Sequence, residues 1–139
     1  MKQLVYASTA AEKVNQQTVE NILVKSKENN ERENLTGFLV FNSGFFLQVL
    51  EGCQESVNKV FCKIVRDERH SNVTILSYDD MYERSFPLWT MALATEVKRK
   101  KLLYLKYGYA NEFNPYQLVP KGALHFLQEL SDYYMCGSN

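Results

Sequence analysis

The chain has 139 residues and a mass of 16.2 kDa, about the length of one domain. Sixteen Lys+Arg balance sixteen Asp+Glu, so it lacks the phosphate-neutralising excess that drives non-specific nucleic-acid binding. No apolar run exceeds four residues, Phe38 to Phe41 being one, far short of the ~20 that a membrane-spanning helix needs.

Apolar residues make up 45% and charged residues 23%, the balance of a chain that folds around a core. The cysteines are Cys53, Cys62 and Cys136, without CxxC spacing, and the histidines are His70 and His125. That set suggests neither a disulfide framework nor a metal site. The N-terminus carries no signal-peptide pattern, and the expectation is a cytoplasmic protein.

Leu4 to Ser8 reads as a strand, with Leu4, Tyr6 and Ser8 on one face and Val5 and Ala7 on the other. Asn15 or Thr18 can cap a helix whose positions Val19, Ile22, Leu23 and Ser26 recur at i, i+3, i+4 and i+7. Four residues on, Asn30 falls near the middle of that stripe. Leu35–Phe41 and Phe45–Glu51 flank Asn42-Ser43-Gly44, the pattern of a β-hairpin. A second helix is expected over Glu55–Asp67, with Val57, Val60, Phe61 and Ile64 on one face and Lys63 and Asp67 at its flank.

Val73–Tyr78 reads as a fourth strand and Phe86–Thr95 as a fifth, with Trp89, Met91 and Leu93 on a shared face. The order βαββαββ predicts an α+β, ferredoxin-like sandwich: a mixed five-stranded sheet with two helices on one face. From residue 96 the pattern changes. A helix is expected around Leu102–Tyr104 after the basic run Lys98–Lys101. A last helix follows Pro120, with Ala123, Leu127, Leu130 and Tyr134 on one side. The chain is therefore divided into a core, 1–95, and a helical pair, 96–139, packed on the other face of the sheet.

Three polar residues break the apolar pattern: Tyr6 on the first strand, Asn30 in the helix stripe, and Gln48 within Phe46-Leu47-Gln48-Val49-Leu50. Each has an ordinary explanation alone: a phenol at a sheet rim, a C-cap, an amide bonding its own backbone. Together they are three groups that each lose about 1–3 kcal/mol if buried unpaired. A bound planar heterocycle could partner them.

Six segments carry a resemblance. They are Leu4-Val5-Tyr6-Ala7-Ser8, Asn29-Asn30, Thr36-Gly37-Phe38-Leu39, Gln48-Val49-Leu50-Glu51-Gly52, Asp67-Glu68-Arg69-His70 and Phe86-Pro87-Leu88-Trp89-Thr90-Met91. In this order and spacing the chain resembles a BLUF domain, the flavin-binding blue-light sensor, of the short type without a covalently attached output domain. The resemblance implies FAD between the two helices, with FMN as a substitute. It implies photoactive roles for Tyr6 and Gln48. It implies cofactor contacts at Tyr6, Ser8, Ile22, Asn29, Asn30, Gln48, Lys63, Ile64, Asp67, Arg69 and His70. Light would drive electron and proton transfer from Tyr6 to flavin, and Gln48 would rotate or tautomerise. Trp89 and Met91 would pass the change to the C-terminal helices. The implied partner is a downstream regulator or transcription factor, with a homo-oligomer expected and no substrate turned over.

Three other readings are weaker. A hydrolase would need a Gly-rich anion cradle with an Arg beside it, whereas Gly37, Gly44 and Gly52 punctuate strands. An RNA-binding sheet would need basic balance around Phe41, Phe45 and Phe46. A flavin-free regulatory module that has lost photochemistry is opposed by the presence of Tyr6, Gln48 and Asn30 together, and the alternative kept beside the photoreceptor is a flavin-binding regulatory module without productive photochemistry.

Overall fold

A computed structural model describes residues 1–94, 106–107 and 113–135. The elements run β1 (Lys2–Ala10), α1 (Gln16–Arg32), β2 (Thr36–Asn42), β3 (Phe45–Gly52), α2 (Gln54–Arg66), β4 (His70–Asp80), β5 (Ala92–Ala94), a 3-10 turn (Pro115–Gln117) and α3 (Pro120–Met135). The sheet order is β4-β1-β3-β2-β5. Neighbours among the first four strands are antiparallel, and β5 is parallel to β2. This is the expected mixed five-stranded α+β sandwich. The anticipated helix at 102–104 and the boundary after residue 95 lie outside the described residues.

The unbroken burial from Gln3 to Ser8 in β1 follows from its place inside a sheet covered on both faces. Leu4 and Tyr6 enter one core cluster with Val19 of α1, Val57 of α2, Leu39 and Leu50. Val5 enters the other, with Phe38, Val40, Leu47 and Val49, under Ala123, Phe126, Leu127 and Leu130 of α3. Period-two alternation thus deals successive residues to two cores.

Local chemistry sets the element ends. Asn15 caps α1, its Oδ1 accepting from Thr18 N at 2.9 Å and from Thr18 Oγ1 at 3.0 Å. The β2–β3 turn places Ser43 and Gly44 at φ 53° and 78°, a left-handed pair suited to a tight hairpin. The ends of α1 and α2 are tied by Glu33, which accepts from Ser56 Oγ at 3.1 Å and Lys59 Nζ at 2.7 Å.

The fifth strand is a correction. Among the described residues of 86–95 only Ala92–Ala94 is strand, and 86–91 is a bent crossing segment. Phe86 and Met91 are buried, whereas Leu88 is exposed. The segment is held at points rather than by a ladder. Buried Glu51 accepts from Ser85 N at 3.0 Å and Phe86 N at 2.7 Å, and Gly37 N donates to Trp89 O at 3.0 Å. Consequently Trp89 and Met91 do not share a face. Trp89 packs on the α3-side core, 5.5 Å from the Phe38 ring, and Met91 belongs to the α1/α2-side core.

Candidate functional site

A cavity of about 290 Å³ opens between α1 and α2, floored by the sheet. Helical spacing builds both walls. From α1 come Val19, Ile22, Ser26 and Asn30, with Lys25 and Asn29 beside them; from α2 come Val60, Lys63, Ile64 and, one turn on, Asp67. The floor is Tyr6, Leu39, Phe46 and Gln48, and Arg69 and His70 close one end.

Tyr6 and Gln48 are direct partners in the β1–β3 register. The Tyr6 hydroxyl donates to Gln48 Oε1, and Gln48 Nε2 lies 3.4 Å from Met91 Sδ. Both side chains are buried, and the Phe61 ring stands edge-on to Tyr6 at 5.7 Å. Burial, reinforced by the negative charge of Asp67, pushes the Tyr6 phenol well above its ordinary pKa, so it holds its proton.

Asn30 is 3% exposed and does not cap its helix; the cap position is Glu33. Its Nδ2 donates to Thr90 O at 3.1 Å, joining the cavity wall to the crossing segment beside Met91. Asn29 faces the cavity and accepts from Arg32. Arg69 forks onto Asp67 through Nε at 2.9 and 3.0 Å and Nη2 at 2.5 Å. That guanidinium holds the Asp67 carboxyl below the usual carboxylate range.

Of the residues expected at a cofactor, Tyr6, Ile22, Asn29, Asn30, Gln48, Lys63, Ile64, Asp67, Arg69 and His70 all border this one cavity. Ser8 does not. It sits behind the wall with its Oγ 2.8 Å from His70 Nδ1. Met91 reaches the site through Gln48, and Trp89 lies across the sheet. The sequence reading missed Lys25, Leu39 and Phe46 as cavity-lining residues. Lys25 follows Ile22 by three residues, a spacing that shares a helix face.

The lining suits a flat conjugated ring with carbonyl and imide edges. Ile22 and Ile64 offer apolar surface from opposite helices, and the carboxamides of Asn29, Asn30 and Gln48 can each donate and accept. Two of those carboxamides, Asn30 and Gln48, are buried at the wall, where polar groups need partners. Among the described residues no His/Cys/Asp/Glu cluster could hold a metal ion, and no helix is long and apolar enough to cross a membrane.

Comparison with known proteins agrees with this geometry. The family model described as sensors of blue-light using FAD matches residues 1–92. The structure of BlsA in its photo-activated state superposes with a TM-score of 0.84 at 33% identity, covering 93% of both chains. BlrB, a BLUF protein in its dark state, gives 0.67 at 26% identity over 75% of this chain and 76% of that one. The photoactivated adenylate cyclase subunit beta of Euglena gracilis is 32% identical over 94 residues, which is 67% of this chain but 11% of that protein. The blue light- and temperature-regulated antirepressor BluF of Escherichia coli is 31% identical over 60% of this chain and 21% of its own length. The chain thus spans about a tenth of the first of these curated relatives and about a fifth of the second. With the family model covering β1 to β4, α1, α2 and the cavity between the two helices, the chain belongs to the BLUF family of flavin-binding blue-light sensors.

Proposed function

We propose that this chain is a blue-light receptor in which FAD, or FMN in its place, lies between α1 and α2 and a Tyr6–Gln48 hydrogen-bond switch records the light. The observation that carries this reading is the buried Tyr6 hydroxyl donating to Gln48 Oε1 on the floor of the cavity. Flavin, when bound, supplies the blue absorption and an excited state that is a strong one-electron oxidant.

The protein's part is proton and hydrogen-bond management. Tyr6 is an oxidisable phenol whose proton has a waiting acceptor in Gln48 Oε1. Its raised pKa keeps that proton in place in the dark. Gln48 is the switching element because a carboxamide carries an acceptor and a donor on one rotor. Among the described residues the partner of its nitrogen is the Met91 thioether, a weak acceptor, so reorienting the amide gives up little on that side. Ile22 and Ile64 exclude water from the ring faces, and Asn30 fixes the ring edge while holding Thr90 O.

Met91 is the first residue to feel a change in Gln48. From there the crossing segment leads to Trp89 and the core under α3. A cytoplasmic regulator or transcription factor reading α3, in a homo-oligomer, is the output this arrangement favours. The light-regulated antirepressor among the relatives supports that partner class.

The test is an absorption spectrum of the purified protein, dark and then in blue light, beside Tyr6→Phe. A yellow protein whose bands move slightly red in light and recover in the dark, with the shift lost in Tyr6→Phe, is expected. A protein that binds flavin and shows no shift is a flavin-binding module without this photochemistry. A colourless protein that takes up no added FAD overturns the reading altogether.

A further inference from the structure

Ser8 is fully buried on the cavity face of β1, two residues beyond Tyr6, yet it does not border the cavity. His70 does, and its Nδ1 lies 2.8 Å from Ser8 Oγ. The backbone is built to bring them together. Ala7 pairs with Thr74 and Thr9 with Ser71, so Asn72 and Val73 of β4 stand opposite Ser8 alone. Asn72 has φ 50°. This is a β-bulge, which re-aims the side chains beside it. Tyr116 fastens it from outside, its hydroxyl donating to Asn72 O at 3.0 Å and lying 2.9 Å from Thr9 Oγ1. The His70 ring is thereby set 4.5 Å from the Phe46 ring, with Nδ1 turned to Ser8.

Counting hydrogens decides the polarity of that contact. A neutral imidazole has one N–H and one bare nitrogen. Burial favours the neutral ring here, and of the neighbouring charges Asp67 opposes it and Arg69 supports it. Among the described residues, His70 is the side-chain partner recorded for Ser8 Oγ. Were Nδ1 protonated, Ser8 would accept and its own hydroxyl hydrogen would be buried without an acceptor, which folded proteins avoid. Were Ser8 the donor, its hydroxyl and Nδ1 would both be satisfied and the ring hydrogen would sit on Nε2.

We propose that Ser8 is a positioning residue that locks His70 in its Nε2–H form, so that this end of the cavity offers a hydrogen-bond donor to an acceptor oxygen of the ligand. That oxygen is a carbonyl or a hydroxyl of the flavin nucleotide; only this identity rests on the flavin reading. The tautomer itself is a property of the protein.

The experiment is imidazole NMR on protein labelled with 15N-histidine, flavin-free and loaded with FAD. Only His70 and His125 contribute, and His70→Gln assigns the two. The expected result near pH 7 is a bare Nδ1 and a protonated Nε2 on His70. Ser8→Ala is expected to give mixed tautomers and about tenfold weaker FAD binding, the size of one hydrogen bond, and Ser8→Thr to restore both. A proton on Nδ1 in the wild type, or an unaltered pattern in Ser8→Ala, overturns the lock, and unchanged FAD affinity in Ser8→Ala overturns the donor role. The wild-type pattern decides the tautomer even if Ser8→Ala fails to fold. A Ser8-dependent Nε2–H form in a protein that takes up no flavin sustains the lock and sinks the flavin reading instead.

Discussion

Tyr6 and Gln48 face each other in register across β1 and β3, and the phenol donates to the carboxamide oxygen. The amide is therefore held firmly at one end, by a buried hydroxyl, and loosely at the other, by the Met91 sulfur. Gln48→Leu keeps the volume and leaves the Tyr6 hydroxyl buried without its acceptor. A loss of about 1–3 kcal/mol is expected, together with loss of the light-induced shift. Thermal melts and paired dark and light spectra check both. A variant as stable as the wild type with its shift intact would show that the hydrogen bond does neither job.

Met91 is 2% exposed and touches Gln48, whereas Trp89 packs across the sheet. On the proposed route the two stand at successive steps, not side by side. Met91→Ala should therefore retain the spectral shift and blunt the light response of α3, at a stability loss of about 2–5 kcal/mol. Met91→Leu, which conserves volume, should lose less than about 1.5 kcal/mol. Hydrogen exchange over residues 120–135 is the readout. Equal light-dependent protection in Met91→Ala and the wild type would remove Met91 from the route.

Gly37 is where backbone must pass close to backbone. A Cβ there would lie 2.1 Å from Val49 O and 3.1 Å from Met91 Cε. Its N–H also holds Trp89 O. Gly37→Ala should part β2 from β3 and displace Met91, with a loss of about 3 kcal/mol or more. Urea titration gives the magnitude. A Gly37→Ala variant within about 0.5 kcal/mol of the wild type would mean that the strands yield freely.

Much of the site is legible in the sequence because two simple periods generate it. Spacing of three and four allows Ile22 and Ile64 on the cavity walls, and alternation allows Tyr6 and Gln48 on its floor, whereas Asn29 and Lys63 come to the site through the family resemblance. Asn30 is legible as a polar residue in an apolar stripe. What period analysis misses is where the period stops. Alternation carried through 86–95 puts Trp89 and Met91 on one face, but Glu51 and Gly37 pin that segment by side-chain and single backbone bonds, and just before it Arg84 Nη1 donates to Thr36 Oγ1 and Glu51 O at 2.7 Å. Such tethers join positions some 33–52 residues apart in sequence and leave no local pattern. Ser8 likewise reads as a cavity residue until the bulge at Asn72 brings His70 in front of it.

His70 also makes stability depend on pH. Burial holds its folded pKa below 6.5, whereas the unfolded chain takes up that proton near ~6.5. As pH falls through that interval the unfolded state binds more protons, so stability falls with pH. The contribution is complete above the unfolded pKa and is gone below the folded one. Asp67 acts lower. Arg69 holds its folded pKa below 3.8, so its contribution persists above that value and is lost as pH falls through the folded pKa. The decline on acidification from about pH 7 to pH 5 should then belong largely to His70, and the later decline to the carboxylates that cationic partners hold low, of which Asp67 is the least exposed and Glu33, Asp80 and Glu129 are the others. His70→Gln should flatten the first and keep the second. Urea midpoints at about pH 7, 6, 5 and 3.5 separate them. If the wild type and His70→Gln lose stability in parallel between pH 7 and 5, some other group governs that window.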